Sequence, residues 1–584
     1  MHSLLNARRV VLPSLSNCQE THTQSVQNIV KPQNMIARIN EKQLKKEFDL
    51  IVIGGGINGC GIARDAVSRG LKVLLLEKED FGSGCSSIST RLIHGGLRYL
   101  EHLEFGLVRE SLHEEKTLLK NANHLVRSLE FCFPVYRNDK RSPFVIKMGM
   151  IIYDLLSIGR DLPGHRILSP DEFQSYDSAL NDDGLVKAVV FYDSQVLFPE
   201  RICLENILMA KQKGAVTLNH AEVKKINIDA NKITSLEFLD LLSNRKWTVS
   251  GKVVINASGP WLDKVNGIAI ENPKTLLGGT KGSHIIINKF QNGPKQAIIH
   301  YASDGRPVFI IPWKDYYLIG TTDIPFDGDL DHVSITRSEI DYLINETNKI
   351  LKNKIIKISD VLYTYSGVRP LPYSPGSNPS AITRRHIIFD HSQTGLENMI
   401  SIIGGKLTTY RNLSEQAVNL TFKKLDLEFV ACSTRAEPLI GCLPTGVQEF
   451  KEKYVKKAEK KYDIDPDIIS FLIDFYGTRF KDVLDLTLQE KELGKLLSSS
   501  SLDIMSQIFL ALQDEMAWTV TDILLRRTSL GLSSGLGESV VSDIAKILQV
   551  NLNLSKQEIE KQINDYYEKV VKLRVGTGFV QGFD

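Results

Sequence analysis

The sequence predicts an α/β chain in which a Rossmann-type domain is interleaved with a second domain and followed by an all-helical C-terminal domain. Three observations predict this. A strand–glycine–helix–strand segment lies at residues 49–80, a strand–glycine–helix block recurs at 397–420, and helical periodicity dominates from residue 448 onward. Because domains usually hold about 100 to 200 residues, the 584 residues of the chain predict two or three of them.

The first element is a βαβ unit. The apolar run DLIVI at 49–53 precedes GGGINGCGIARDAVSRG, and LKVLLLEKED begins at Leu71. A helix from about Asn58 to Ser68 is expected to end at Gly70, since glycine adopts the left-handed conformation that closes helices.

Later segments repeat strand-to-helix transitions far along the chain. KVVINASGPW at 252–261 and ENMISIIGGKLTTYRNLSEQAVNL at 397–420 both read as a strand, a turn and a helix. Strands that return to one sheet from such distances indicate two interleaved domains. We therefore predict an N-terminal extension at 1–46, an interleaved body at 47–430 and a helical domain at 431–584.

Composition excludes several classes of protein. Lys and Arg total 71 against 69 acidic residues, a net charge of +2, so no global field attracts nucleic acid. Seven scattered cysteines without a C-x-x-C pair argue against a disulfide framework or a zinc ribbon.

No apolar run approaches the roughly 18 residues of a membrane-spanning helix. FVIKMGMIIYDLLSIG from Phe144 is interrupted by Lys147 and Asp154 and predicts an amphipathic or core helix, whose apolar face would be able to touch a membrane surface.

The first residues leave three interpretations open. Residues 1–19 contain Arg8 and Arg9 but no acid, a composition that weakly resembles an organellar transit peptide. A flexible tail and a start codon upstream of the true one at Met35 are the alternatives.

Gly54, Gly56 and Gly59 form a G-x-G-x-x-G motif between a strand and a helix, and Glu77 follows 21 residues after Gly56. In this context glycines let the backbone approach a pyrophosphate at the helix N-terminus, and the acid binds the ribose hydroxyls. The motif predicts dinucleotide binding. FGSGCSSISTR at 81–91 supplies small residues and hydroxyls that suit an extended cofactor, so FAD is favoured over a nicotinamide.

The segment RLIHGGLRYLEH at 91–102 concentrates charge and glycine directly after those serines. A charged helix start, a phosphate cradle and half a metal site are its possible interpretations. His94 and His102 lie eight residues apart, which is not the spacing of a helical zinc pair, so we expect no metal. No G-x-S-x-G elbow is present either, which argues against serine nucleophile chemistry.

Blocks spread over residues 49–412 occur in an order that resembles the FAD-dependent glycerol-3-phosphate dehydrogenases of the D-amino-acid-oxidase-like superfamily. They are GGGINGCGIARDA, SSISTRLIHGGLRYLEH, NASGPW, KGSHI, IPW with GTTD, YTYSGVRPL, AITR and GGKLTTYR, and RRTSLG resembles the family's helical domain. The resemblance implies a Rossmann-type FAD-binding domain interleaved with an antiparallel-sheet substrate domain. It also implies oxidation of sn-glycerol 3-phosphate to dihydroxyacetone phosphate, with electrons passing to a membrane quinone.

The resemblance also assigns site residues. It implies cofactor contacts from the residues of the glycine turn, the serine segment and the later turns: Gly54, Gly56, Asn58, Gly59, Glu77, Ser86, Ser87, Thr90, Gly95, Gly96, Ala257, Gly259, Gly405, Leu407 and Thr408. It implies substrate contacts from Arg98, Tyr99, Thr322, Arg369, Arg384 and Lys406.

Arg369, Arg384 and Lys406 stand beside prolines and glycines in predicted turns, where cations suit a phosphate dianion. Lys406 is also a candidate to stabilise the reduced flavin. His284 in KGSHI, which by itself would be a buried strand histidine, becomes through the resemblance the first candidate to accept the C2 hydroxyl proton. His94, with Tyr99 or Arg369 as an orienting donor, is the second.

Partners follow from the resemblance alone. It implies ubiquinone or menaquinone as acceptor, peripheral association with a membrane surface and a homodimer. The membrane would be the bacterial inner membrane on its cytoplasmic face, or the mitochondrial inner membrane if residues 1–34 are a transit peptide. An oxidase that reduces oxygen and a non-catalytic flavin-binding relative are the competing functions.

Overall fold

The computed structural model describes residues 38–574 apart from positions 138, 140, 160, 161, 178 and 377–381. The candidate transit peptide lies outside the described residues. The strands, in chain order, are β1 Phe48–Ile53, β2 Val73–Leu76, β3 Leu92–Ile93, β4 Val126–Tyr136, β5 Arg166–Leu168, β6 Leu185–Val196, β7 Val216–Leu218, β8 Ala221–Asp229, β9 Lys232–Asp240, β10 Arg245–Val249, β11 Gly251–Asn256, β12 Thr280–Asn288, β13 Ala297–Tyr301, β14 Pro307–Trp313, β15 Tyr316–Gly320, β16 Ile324–Pro325, β17 Val361–Arg369, β18 Ile387–Asp390 and β19 Met399–Ile403.

The α-helices are α1 Glu41–Leu44, α2 Ile57–Ser68, α3 Phe105–Asn121, α4 Pro143–Leu156, α5 Pro170–Tyr176, α6 Pro199–Gln212, α7 Leu262–Ala269, α8 Arg337–Asn348, α9 Tyr410–Leu425, α10 Val447–Tyr462, α11 Pro466–Tyr476, α12 Phe480–Gln489, α13 Ser506–Gln513, α14 Val520–Asp522, α15 Val541–Leu552 and α16 Lys556–Val571. A 3₁₀ helix at Leu97–His102 also carries site residues.

A six-stranded sheet holds the predicted βαβ unit. Its order is β18-β19-β11-β1-β2-β7, with every pair parallel except β18 and β19. The β1 and β2 runs are apolar almost throughout because both faces of a parallel sheet are covered. Helix α2 lies on this sheet together with α6 and α9, and Gly70 has the expected positive φ of 91°. The βαβ unit is confirmed.

A second sheet of ten strands carries much of the remaining body. Its order is β16-β12-β15-β14-β13-β4-β6-β3, with β17 on β12 and β5 on β6. The pairs are antiparallel except β13 with β4. The strands of the two sheets alternate along the chain, so the interleaved architecture expected from the sequence is confirmed. A small antiparallel sheet, β10-β9-β8, joins the first sheet at one side.

From Val447 onward, the named elements of the described chain are helices. Buried ion pairs connect these helices to the Rossmann sheet: Arg527 Nη1 lies 2.7 Å from Asp80 Oδ2, and Arg201 Nη1 lies 2.7 Å from Glu515 Oε2. Asp80 lies four residues after the end of β2 at Leu76, so these ion pairs hold the helical region against the segment that contains Glu77.

Within the described residues, no helix combines the length and the apolarity that crossing a bilayer requires.

Candidate active site

The glycine turn after β1 is closely packed against a second strand end. Gly54 has a φ of +106°, and a Cβ there would lie 2.7 Å from the carbonyl oxygen of Ala257. A side chain is therefore excluded both by the backbone conformation and by contact. Helix α2 begins at Ile57, directly after Gly56, so its positive N-terminal end faces this turn.

Three separate sequence blocks meet at the N-terminus of α2. The Ile57 amide donates to Ser86 Oγ at 2.9 Å, and Asn58 Nδ2 donates to the Gly404 carbonyl at 3.3 Å. The glycine turn, the serine segment and the GGK turn therefore form one wall. Gly405 there has a φ of 97° and lies close to Asn58.

Glu77 lies at the edge of the same wall. Its carboxylate accepts from the amide of Gly55 at 2.6 Å and from that of Glu79 at 2.8 Å. Burial raises the pKa of Glu77 even though both amides oppose this. One oxygen of the carboxylate thus lies against the glycine turn. In a dinucleotide site the acid binds the ribose and the glycine turn binds the adjacent pyrophosphate, so the two must be neighbours.

These residues fit FAD. The glycine cradle leaves no room for side chains, the helix N-terminus suits a pyrophosphate, and the buried Asn58 Oδ1 has no hydrogen-bond partner among the described residues. Two further residues expected to contact the cofactor, Ser87 and Thr408, have contacts nearby. Ser87 Oγ donates to the Gly82 carbonyl, the Gly82 amide donates to the Gly55 carbonyl, and the His94 amide donates to Thr408 Oγ1.

A cavity of about 200 Å³ lies between the serine segment and the ten-stranded sheet. Four arginines line it, Arg98, Arg306, Arg369 and Arg384, and three carboxylates do so, Asp193, Glu104 and Asp323. Its other lining residues include Thr90, His94, Gly96, Tyr99, Tyr301, Phe309 and Thr321. The balance of charge is positive, which favours an anionic ligand.

Asp323 joins the two arginines that the sequence singled out. Arg369 Nη1 lies 3.0 Å from Asp323 Oδ1, and Arg384 Nη2 lies 3.0 Å from Asp323 Oδ2. Arg369 Nη2 also donates to Thr321 Oγ1 at 2.9 Å and to the Thr322 carbonyl at 3.1 Å. We name Arg369, Arg384 and Asp323 the arginine clamp.

Lys406 is not among the described residues that line the cavity with the clamp, which differs from the expectation that three cations surround one anion. Its Nζ lies 4.4 Å from the centroid of the Tyr99 ring and donates to Ser111 Oγ at 2.7 Å. Tyr99 lines the cavity and Lys406 is not among the described residues that do. Burial lowers the pKa of Lys406 to about 7, although Glu110 and Asp193 oppose this.

Thr322 is a second correction. The sequence assigned it to substrate binding, but its side chain is buried, donates to Glu339 Oε1 at 2.8 Å and accepts from the Ser283 amide at 3.0 Å. The neighbours Thr321 and Asp323 line the cavity. Successive residues of extended chain point to opposite sides, so only one side of the GTTD loop faces the cavity.

The two candidate bases are placed differently. His94 lines the cavity. The buried His284 reaches it through Thr90, whose Oγ1 lies 3.1 Å from His284 Nε2. Burial lowers the pKa of each to about 3, helped by Lys406 for His94 and by Arg369 for His284. Both imidazoles are therefore neutral near pH 7 and able to accept a proton.

The 3₁₀ helix Leu97–His102 brings Arg98 and Tyr99 to the cavity. Gly96 precedes it with a φ of 80°. Gly95 is packed so closely that a Cβ would lie 2.3 Å from Tyr153 Oη. The glycine pair therefore turns the chain sharply, and the next residues reach the cavity wall.

Sequence reasoning missed several residues of this site. Arg306 donates to the Asp323 carbonyl at 3.1 Å and, with Tyr301 and Phe309, lines the cavity. The turn DGRP around Arg306 resembles the VRP turn of Arg369 and offered a weak signal. Tyr301 and Phe309 alternate along ordinary strands, and no local pattern distinguishes them.

The chain is similar to known proteins along most of its length. Residues 49–411 match the family described as FAD dependent oxidoreductase, and residues 432–559 match the C-terminal domain of alpha-glycerophosphate oxidase. A protein of Synechocystis sp. named glycerol-3-phosphate dehydrogenase is 45% identical, over 89% of this chain and 96% of the relative.

Two further relatives cover most of the chain. The aerobic glycerol-3-phosphate dehydrogenase of Staphylococcus haemolyticus is 31% identical, over 92% of this chain and 98% of its own length. Among solved structures, glycerol-3-phosphate dehydrogenase from Bacillus halodurans complexed with FAD aligns with a TM-score of 0.76 and 26% identity, covering 92% of this chain and 98% of that one.

Proposed function

Because the chain belongs to the family of FAD-dependent oxidoreductases, we propose that it oxidises sn-glycerol 3-phosphate to dihydroxyacetone phosphate. FAD is its cofactor. The names of its relatives support this substrate, and the arginine clamp is the observation that carries the proposal. Two guanidinium groups on one cavity wall suit a phosphate, since both are permanently positive and guanidinium groups form strong charge-assisted hydrogen bonds with phosphate.

Charge complementarity supports a phosphorylated substrate over a neutral polyol. The cavity carries four arginines against three carboxylates, and Asp323 only partly neutralises the clamp. A phosphate dianion entering such a partly dry cavity gains strong charge-assisted hydrogen bonds. Glycerol without its phosphate offers none of them.

FAD, when bound, supplies the flavin N5 atom that accepts the hydride from C2 of the substrate. The chain must then remove the proton of the C2 hydroxyl. We assign this to His284 Nε2, which receives the proton through Thr90 Oγ1, and the 3.1 Å contact between these atoms supports the assignment. His94, on the cavity wall, is the alternative base.

Lys406 has a different role from the clamp. Its ammonium group is buried near Tyr99 and lies on the GGK turn that contacts Asn58 and the wall proposed for the cofactor. We propose that this charge stabilises the negative charge that develops during the reaction. Arg98 and Tyr99, which line the cavity, would also hold the substrate.

The test is anaerobic reduction of the purified, FAD-containing enzyme. Bleaching of the flavin absorbance is followed with sn-glycerol 3-phosphate, glycerol, and a panel of amino acids at equal concentration. Rapid bleaching with glycerol 3-phosphate alone supports the proposal. Bleaching by an amino acid, or by none of the compounds, contradicts it, and the second result favours a non-catalytic relative.

We propose ubiquinone or menaquinone as the electron acceptor, with oxygen as the alternative. Since quinones reside in lipid, this proposal needs a surface that contacts a membrane. Helix α4 supplies one, because its apolar side chains are only partly covered: Phe144 is 70% exposed, Leu155 61% and Met148 42%.

The apolar surface of α4 continues toward the cavity. Helix α4 packs on α3 and on the 3₁₀ helix of Arg98 and Tyr99, and between those elements Leu103 is 73% exposed. Apolar surface that is exposed beside a cavity rim suits insertion into the interfacial region of a bilayer. An acceptor dissolved in the bilayer would then meet the enzyme near its active site.

Two measurements test the acceptor and the membrane. Oxygen uptake without added quinone would identify an oxidase. We expect this uptake to be slow compared with the reduction of quinone in vesicles.

Sedimentation with anionic phospholipid vesicles compares wild type with the triple variant Phe144→Gln, Met148→Gln, Leu155→Gln. The control is Ile355→Gln, which removes an equally exposed apolar side chain elsewhere. Equal vesicle binding by all three proteins would contradict the membrane surface.

A further inference from the structure

A buried carboxylate lies beneath the GTTD loop. Glu339 is 2% exposed and is the third residue of α8. Its Oε2 accepts from the Thr336 amide at 2.9 Å, which is an ordinary capping interaction, and lies 2.8 Å from Lys281 Nζ. Burial would raise the pKa of Glu339, but Lys281 and the Thr336 amide hold it below its usual value, so the group is a carboxylate at neutral pH.

The second carboxylate oxygen of Glu339 accepts hydrogen bonds from different donors. Its Oε1 accepts from Ser283 Oγ and from Thr322 Oγ1, each at 2.8 Å. Ser283 precedes His284 on β12, and Thr322 is the middle residue of the loop that follows β15. One carboxylate oxygen therefore ties the loop to the strand. Helix capping does not require either contact.

The loop in turn holds Arg369. Arg369 Nη2 donates to Thr321 Oγ1 and to the Thr322 carbonyl, and its Nη1 pairs with Asp323. Three consecutive residues thus set the orientation of one guanidinium group. Movement of this loop away from Glu339 would displace all three acceptors together.

We infer that Glu339 is a positioning residue for the arginine clamp, acting through the Thr322 hydroxyl to fix the loop 321–323 and with it the guanidinium group of Arg369. The inference rests on the proposed function, because it assigns the clamp to the substrate phosphate. Glu339 itself does not line the cavity in the described part of the chain. Its effect is to pre-organise a binding group, so loss of Glu339 weakens phosphate binding.

The decisive variants lie at both ends of this contact. Thr322→Val removes the hydroxyl and keeps the shape, whereas Thr322→Ser keeps the hydroxyl. Glu339→Gln keeps the size of the side chain but has only one oxygen, so when that oxygen accepts from Lys281 and Thr336, an NH2 group faces Thr322 and cannot accept from its hydroxyl. The FAD-containing holoenzymes are titrated with inorganic phosphate by calorimetry, and KM and kcat are measured with glycerol 3-phosphate.

We expect Glu339→Gln and Thr322→Val each to weaken phosphate binding and to raise KM about tenfold, with kcat changed less than about threefold. Thr322→Ser should remain within about twofold of wild type. The double variant should be no weaker than the worse single variant, since both changes break the same link. Fully additive losses, or wild-type phosphate affinity in Thr322→Val, would overturn the inference.

The control is Glu346→Gln on the same helix. Glu346 is also buried and paired, with Lys349 Nζ at 2.7 Å, but it accepts from Ser303 and not from the GTTD loop. The Glu346→Gln variant should lose thermal stability without losing phosphate affinity. A matching loss of phosphate affinity in this variant would reduce Glu339 to a general structural role.

The two proposals fail separately. Suppose that the phosphate affinities of wild type and variants fall in the expected order but glycerol 3-phosphate does not bleach the flavin. The proposed substrate is then wrong and the positioning role stands. If glycerol 3-phosphate bleaches the flavin and the variants match wild type, the positioning role alone is wrong. If Glu339→Gln fails to fold, the comparison of Thr322→Val with Thr322→Ser tests the positioning role.

Discussion

Arg369 and Arg384 are held by opposite oxygens of a single carboxylate, that of Asp323, at 3.0 Å each. Like charges are thus brought to one cavity wall, where they would otherwise repel each other. Both arginines line the cavity, so their two positive charges stand against the single negative charge of Asp323 at this wall. The predictions below begin from this arrangement.

Arg369→Ala should raise KM for glycerol 3-phosphate roughly 30-fold, since losing one charged hydrogen-bond partner costs about 2 kcal/mol. FAD content, measured from the visible absorbance of the purified protein, should be unchanged because Arg369 belongs to the clamp. Arg337→Ala is the control: this arginine is exposed and pairs with Asp341 on the surface. An unchanged KM in Arg369→Ala would remove this residue from the phosphate site.

His284→Asn should lower kcat at least about 100-fold with little change in KM, because general-base catalysis is typically worth that factor or more. Thr90→Val should lower kcat as well, whereas Thr90→Ser, which keeps the hydroxyl, should restore it. Steady-state rates with an artificial electron acceptor report both parameters.

His300→Asn is the matched control for that series, since His300 is also a buried histidine of the ten-stranded sheet. It should leave kcat near the wild-type value. A large loss of kcat in His94→Asn together with an active His284→Asn would transfer the role of base to His94.

The pH profile tests Lys406. Because the pKa of Lys406 is lowered to about 7, its ammonium form, the proposed active form, is lost as the pH rises through about 7. We therefore expect kcat/KM to decrease above pH 7. Both histidines have a pKa of about 3, so their protonation should cause no decrease between pH 8 and pH 5.

Lys406→Arg provides the comparison, because a guanidinium group stays protonated over this whole range. Its kcat/KM should be independent of pH near 7. A wild-type profile that rises through pH 7 would mean that the neutral amine is the active form and that Lys406 acts as a base.

Gly54→Ala should prevent FAD binding. The new methyl group would lie 2.7 Å from the Ala257 carbonyl oxygen, in a backbone conformation with φ +106°. Gly70→Ala is the matched control, since its φ is +91° but nothing lies within 4 Å of the added carbon. It should cost about 1 kcal/mol of stability and keep its flavin.

Fluorescence of the released cofactor and thermal unfolding measure the two effects. Equal FAD content in Gly54→Ala and wild type would show that the turn tolerates a side chain. In that case the glycine turn would not be the cofactor cradle.

Local sequence patterns predicted the βαβ unit and the residues around it. The apolar run 48–53, the glycine turn and the helix ending before Gly70 involve neighbours within about 30 residues, so periodicity and backbone preference were sufficient. Arg369, Arg384 and Lys406 were found as unusual cations in turns. Their partners were not, because Asp323 lies 46 residues from Arg369 and 61 from Arg384.

The sequence by itself determined the βαβ unit and its glycine turn, because those features depend on short-range backbone geometry. Only the tertiary structure decided which distant side chains meet. It placed Lys406 against the ring of Tyr99, turned Thr322 toward Glu339, and brought Thr90 to His284 across 194 residues. Sheet register and the side to which each residue points set these contacts, and neither can be read from a local pattern.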